Sequence, residues 1–126
     1  TRFISGMALG VDIYAAQIVL EEKASHPDII LECALPCETQ SNRWKVDQQE
    51  VYYKILGDCD KATLLQHAYT ADCMNKRNRY MVDNSDFVIA VWNGRPSGTG
   101  NTVQYALQQD KKIITINPNN LWEEGV

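Results

Sequence analysis

The stretch Asn93-Gly94-Arg95-Pro96-Ser97-Gly98-Thr99-Gly100-Asn101-Thr102 constrains the fold of this chain more than any other. Ahead of it runs Phe87-Val88-Ile89-Ala90-Val91-Trp92, an unbroken apolar segment that reads as a buried strand. Behind it, Val103, Ala106 and Leu107 recur at helical spacing. The loop therefore links the carboxyl end of a strand to the start of a helix. Its glycines let the backbone turn tightly and approach a ligand, while Ser97, Thr99 and Thr102 supply hydroxyls and N-caps. A helix start presents unpaired N–H groups and the positive end of the dipole, so an anion fits there. The expected role is a phosphate cradle, with ordinary turn chemistry as the plainer alternative.

The other elements follow from periodicity. Arg2-Phe3-Ile4 reads as the end of a strand and Ser5-Gly6 as its turn. Val11, Tyr14, Ala15, Ile18 and Val19 mark one face of a helix that ends near Ser25, before His26-Pro27. Ile29 to Leu35 is a strand stopped by Pro36, and Asp47 to Cys59 a helix with the stripe Val51, Tyr52, Ile55 and Leu56. Ala62 to Leu65 is a short strand. Ala71 to Asn84 reads as a helix with Met74, Arg77 and Met81, and Asn84 at its end, on one face. Past the central loop, a helix is expected from roughly Asn101 to Gln109 and a strand from Ile113 to Ile116. The order β-α-β-α-β-α-β-α-β, with several strands apolar throughout, predicts an α/β protein. It is a three-layer α/β/α Rossmann-like fold with a mainly parallel sheet covered on both faces. Such sheets bind ligands at the carboxyl ends of their strands.

At 126 residues the chain is long enough for one domain with a substantial core, and residues 1–126 read as a single unit. Hydrophobic (44%) and charged (22%) fractions are those of a globular protein. No apolar run approaches the length of a membrane span and no secretory signal is visible, so a cytoplasmic location is expected. The net charge of −4 argues against a broad nucleic-acid surface. Cys33, Cys37, Cys59 and Cys73 form no Cys-x-x-Cys pair, so no metal site is expected and the thiols read as reduced. His26 and His67 read as solvated loop residues. Thr1 stands where an initiator Met would, and Phe3-Ile4 runs straight into a Gly loop. Both are expected of a piece of a longer polypeptide that lacks an N-terminal strand–helix element.

Two further strand ends carry candidate residues. In Ser5-Gly6-Met7-Ala8-Leu9-Gly10-Val11-Asp12, Gly6 and Gly10 leave room for a ligand or a neighbouring backbone. Asp12 is placed either to accept from ligand hydroxyls or to sit as a dipole-favoured residue of the first turn. Arg77 lies along an apolar stripe, and a semi-buried guanidinium wants an anion: a ligand phosphate, or a structural carboxylate such as Asp83 or Asp86. Arg79, on a different face, reads as solvated. After the second strand, Arg43 and Trp44 offer a fork and a stacking face, although packing is the favoured role for Trp44.

Together these stretches resemble the SLOG superfamily, which joins DprA-type DNA-processing proteins with LOG phosphoribohydrolases. Ser5-Gly6-x-Ala8-x-Gly10-x-Asp12-x-x-Ala15, Arg77-Asn78-Arg79, and Ser97-Gly98-Thr99 with Thr102 are similar to the DprA motifs. Met74-x-x-Arg77-x-x-x-Met81 is similar to the LOG pattern, and Pro96-Ser97-Gly98-Thr99-Gly100 matches its Gly-rich loop in part. The nearest resemblance is to the YpsA-like branch of bacterial and phage proteins. It is carried by Pro36-Cys37-x-x-Gln40-x-x-Arg43-Trp44, Arg77-Asn78-x-Tyr80-Met81-Val82-Asp83-x-Ser85-Asp86 and Gly98-Thr99-x-x-Thr102-Val103-x-Tyr105-Ala106. Members usually have an upstream Thr-Gly-His-Arg-Pro-type loop, absent here. The LOG catalytic glutamate would fall at Gln104, which cannot act as a carboxylate base.

The resemblance implies a binding domain for a nucleotide or nucleotide-derived ligand, with no cofactor required and no chemistry of its own. Ser5, Gly6, Gly10, Arg77, Asn78, Ser97, Gly98, Thr99, Gly100 and Thr102 would form the site, with Asp12 on ribose. One alternative is a phosphoribohydrolase-like enzyme cleaving a nucleotide N-glycosidic bond with Arg77 and Asp12. Another is a DprA-like module for single-stranded DNA, against which the acidic balance weighs. Homodimers are common in the superfamily, and Trp122 or exposed aromatics are candidates for such an interface.

Overall fold

The computed structural model describes residues 1–119; Trp122 lies outside them. The strands are β1 (Arg2–Ser5), β2 (Ile30–Leu35), β3 (Lys61–Leu64), β4 (Phe87–Val91) and β5 (Lys112–Ile116). The helices between them are α1 (Val11–Ser25), α2 (Val46–Asp58), α3 (Cys73–Asp83) and α4 (Gly98–Gln108). Strict alternation with parallel pairing is the pattern of a three-layer α/β/α Rossmann-like fold. Among the described residues no helix is long and apolar enough to cross a membrane.

The chain divides into two compact units, Thr1–Arg77 and Asn78–Val126, the boundary falling within α3. In the first unit β1, β2 and β3 pair in that order, with Phe3 opposite Leu31 and Cys33 opposite Ala62. α1 packs on β1 and β2 and touches α2. The core is Met7, Ile13, Ala16, Leu31, Cys33, Tyr52 and Ile55, with Trp44 packed against it, its ring 5.2 Å from that of Tyr52. Trp44 is thus a packing residue. All four cysteines are free thiols; Cys33, Cys37 and Cys73 are buried, and burial pushes the Cys33 thiol well up.

The apolar stripe of α1 is turned relative to expectation. Ile13 and Ala16 are the buried residues, with Val19 and Leu20 packed beside them, whereas Val11, Tyr14, Ala15 and Ile18 are exposed. The helix is apolar on two sides, so spacing alone does not say which side meets the sheet. On α3 the buried positions of the first unit are Cys73 and Arg77, while Met74 is partly exposed; Asn84, at the far end, is exposed.

In the second unit β4 and β5 pair in register from Phe87 opposite Lys112 to Val91 opposite Ile116. α4 covers the pair, burying Val103 and Ala106. Contrary to expectation, β4 is not buried on both faces. Phe87 and Ile89, with Ile114 beside Ile89 on β5, alternate onto a face that stays exposed.

Candidate functional site

In the first unit, the loop from the carboxyl end of β1 to the start of α1 is closed by its own side chains. Ser5 Oγ accepts the Met7 N–H at 3.2 Å and donates to the Asp12 carbonyl at 2.9 Å. The Asp12 carboxylate accepts the Ala8 N–H at 3.2 Å. Met7, fully buried, has φ 58°, a left-handed conformation that costs energy in a residue with a Cβ. Gly10 caps α1 at φ 102°, where glycine alone sits without strain. The loop is pre-formed, and its strain is held by these three hydrogen bonds.

Arg77 lies under this loop at 5% exposure. Its Nη1 donates to the Gly6 carbonyl at 2.5 Å and to Gln40 Oε1 at 3.0 Å, and its Nη2 reaches Met74 Sδ at 3.8 Å. Gln40 returns an N–H to the same Gly6 carbonyl at 3.4 Å. The room that Gly6 leaves is taken by this side chain: an ideal Cβ there would stand 2.9 Å from Arg77 Cδ and Nε. Gly6 therefore makes way for a guanidinium, not for a neighbouring backbone.

Asp12 and Arg77 bias each other. Burial pushes the Asp12 carboxyl above its ordinary range, against the lowering pull of the Ala8 N–H and of the Arg77 cation. Burial likewise lowers Arg77, against the opposing influence of Asp12. One further group is unsatisfied. Ser41, next to Gln40, is 1% exposed, and its Oγ has no hydrogen-bond partner, alone in this among the buried side-chain polar atoms of the described residues. A buried hydroxyl in that state asks for water or a ligand.

In the second unit the expected phosphate loop ends earlier than its glycines suggest. Ser97 is the N-cap of α4, its Oγ accepting the Gly100 N–H at 3.1 Å, and Asn101 N–H already bonds the Ser97 carbonyl. Gly98, Thr99, Gly100 and Thr102 are thus in the helix, which starts three residues before the expected Asn101. Helix geometry leaves the N–H groups of Gly98 and Thr99 without intrahelical acceptors, and these point out of the helix start. Thr102 Oγ1 donates back to the Gly98 carbonyl at 3.0 Å, so it braces the first turn. Gly94 takes the left-handed turn at φ 86°, and Trp92 Nε1 donates to the Arg95 carbonyl at 2.7 Å. Gly100 is closely packed: a Cβ there would stand 3.2 Å from the Trp92 ring and 3.3 Å from the Arg95 carbonyl, so the ring would have to give by a few tenths of an ångström.

Several candidates have other duties. Asp83, a suggested carboxylate for Arg77, accepts from Tyr105 Oη at 2.7 Å, and Arg79 lies 4.8 Å over the Tyr105 ring. Asn78 is half-buried at the start of the second unit; Gln104, Asp86 and Arg43 are exposed. His67 pairs with Glu38 at 2.7 Å on the surface. Gln40 was visible only as a motif position, and Ser41 and Met7 carried no signal in the sequence: an unsatisfied hydroxyl and a left-handed φ are properties of the folded loop.

The sequence profile of the YspA SLOG family matches residues 1–121. The SPbeta prophage-derived protein YoqJ of Bacillus subtilis (strain 168) is 34% identical, over 83% of this chain and 68% of its own. A UPF0398 protein of Bacillus cereus (strain B4264) is 31% identical over 86% of this chain and 58% of its own. One of Bacillus thuringiensis (strain Al Hakam) is 30% identical over 87% and 60%. The chain therefore spans somewhat under two thirds of the length of these UPF0398 relatives.

Proposed function

This chain belongs to the YspA SLOG family, and from that premise we propose that it binds a nucleotide or nucleotide-derived ligand, without chemistry of its own, at the carboxyl ends of its parallel strands. The observation that carries the proposal is the buried guanidinium of Arg77, held at the end of β1 beside the Asp12 carboxyl. A cation kept out of water costs stability unless something uses it. Its Nη1 donates to two neutral acceptors, the Gly6 carbonyl and Gln40 Oε1, and a phosphate, as a charged acceptor, makes a stronger bond to a guanidinium than either. Asp12, an acceptor on the same loop, suits ribose hydroxyls. In the second unit, taken by itself, the start of α4 presents N–H donors suited to an anion.

Thermal unfolding of the full-length protein against nucleotides, cyclic nucleotides, NAD derivatives and phosphoribose compounds tests this. One ligand class should stabilise the wild type and leave Arg77→Gln unmoved. No stabilisation from any of them would refute the proposal. The raised Asp12 carboxyl favours one second reading, an N-glycosidic hydrolase, because a protonatable carboxyl beside a cation suits acid–base work. Release of free base from nucleoside monophosphates, lost in Asp12→Asn, would select it over simple binding.

A further inference from the structure

Gln40 closes the Arg77 site with its side chain alone. Its Oε1 accepts from Arg77 Nη1 at 3.0 Å, while its Nε2 reaches the Gly6 carbonyl at 3.4 Å, long for a hydrogen bond. The Gly6 carbonyl, which also accepts from Arg77, is backbone in a loop held by Ser5 and Asp12. Gln40 comes from the loop between β2 and α2, 37 residues from Arg77, and is half-buried where Arg77 is buried. Of the two oxygen acceptors, it alone swings aside without moving backbone. The main chain beneath it is fixed. Asn42 N–H bonds the Thr39 carbonyl at 3.1 Å, and the Ser41 carbonyl accepts the Trp44 N–H at 3.0 Å and Gln49 Nε2 at 2.9 Å. Yet the same turn holds the buried Ser41 Oγ, which has no partner. The turn is rigid in its main chain and incomplete in its side chains.

We propose that Gln40 is a specificity residue: its amide oxygen holds the place of a ligand oxygen on Arg77, and a phosphoryl group displaces it. An oxygen that is itself ionised binds a guanidinium more strongly than an amide oxygen does, and a phosphate can engage two N–H groups at once. A neutral hydroxyl or carbonyl has no such advantage over the amide, so the exchange admits ligands by charge. It also supplies the acceptor that Ser41 Oγ lacks, a gain on opening that the closed arrangement withholds. The inference rests on the ligand-binding reading only in taking the phosphoryl group to belong to a nucleotide.

Calorimetric titration of inorganic pyrophosphate, at constant ionic strength, into the full-length protein and three variants tests it. Gln40→Ala, which removes the competitor, should bind pyrophosphate about tenfold more tightly than wild type, the worth of one hydrogen bond to a charged group. Gln40→Glu, which sets a carboxylate in the same place, should bind about tenfold or more weakly than wild type. A Gln40 that only held Arg77 in position would make both variants weaker binders, so opposite signs identify the role. Ser41→Ala should bind about tenfold more weakly, yet unfold in urea no earlier than wild type, because it loses no bond made in the closed arrangement. Weaker binding by Gln40→Ala, equal affinities across the Gln40 series, or no heat from pyrophosphate with any of the four proteins would overturn the proposal. A Ser41→Ala protein that unfolds earlier and binds as wild type does would assign the hydroxyl to a buried water and overturn its part in the exchange. The nucleotide reading fails separately. The predicted ranking with pyrophosphate, but no nucleotide derivative stabilising the wild type, would uphold the role of Gln40 and remove the nucleotide. A nucleotide that binds wild type and Gln40→Ala alike would do the reverse.

Discussion

Gly6→Ala probes the contact on which the first-unit site is built. The added methyl would stand 2.9 Å from Arg77 Cδ and Nε and 3.0 Å from Cζ, where carbon contacts settle at about 3.5–4.0 Å. The guanidinium must then move by about half an ångström or more. It is the far end of a long side chain, but it is 5% exposed and tied at 2.5 Å to Gly6 and 3.0 Å to Gln40. Losing one such charged hydrogen bond costs about 1.5–3 kcal/mol. Against this stands a gain of about 0.4–1 kcal/mol from a stiffer unfolded chain, since Gly6 needs no left-handed φ. The net expectation is a loss of about 1–2 kcal/mol, which for a chain of this size lowers Tm by about 3–8 °C. A double-mutant cycle read by urea unfolding isolates the cause. In an Arg77→Ala background the obstruction is gone, and Gly6→Ala should become neutral or stabilising by up to about 1 kcal/mol. Equal costs in the two backgrounds would refute the assignment of Gly6 to Arg77.

Other outcomes follow from the same geometry. Burial raises the Asp12 carboxyl, so the folded state holds that proton more tightly than the unfolded state does. The stability it contributes is complete below the unfolded carboxylate range and lost as pH rises through the folded pKa. Asp12→Asn, which does not ionise, should therefore melt higher than wild type at neutral pH, the gap closing below about pH 4, as a pH series of melting curves would record. Ser97→Ala should cost about 1 kcal/mol in denaturant unfolding by uncapping α4, while Ser97→Asp should keep the cap. The aspartate should also repel an anion from the α4 start, seen as a smaller stabilisation of the protein by any phosphate compound that binds there.

Much of the fold was legible because most elements announce themselves locally. Pro27 and Pro36 mark the ends of α1 and β2, and the apolar runs of β2 and β4 place those strands within a residue of where they lie. Orientation was harder. α1 carries Ile13 and Ala16 on one side and Tyr14 and Ile18 on the other, so two helical faces fit the same spacing. Gly98 and Gly100 suggest a loop, yet Ser97 capping starts the helix ahead of them. Arg77 could be named from its place among methionines. Its anchor could not, because Gly6 is 71 residues away in sequence and the bond is to a backbone carbonyl that any residue possesses. The unsatisfied Ser41 hydroxyl and the left-handed Met7 exist only once the loops are packed.

The most direct measurement of the ligand-binding proposal is calorimetric titration of whichever nucleotide derivative stabilises the wild type into three proteins: wild type, Arg77→Lys and Asp12→Asn. At about a hundred times its dissociation constant that ligand should add roughly 2.7 kcal/mol to wild-type stability. Arg77→Lys, which keeps the charge and loses the fork, should bind at least tenfold more weakly, and Asp12→Asn should weaken binding of ribose-containing ligands alone. Undiminished affinity in a folded Arg77→Lys protein, or no heat from any nucleotide derivative with the wild type, would contradict a site built on Arg77.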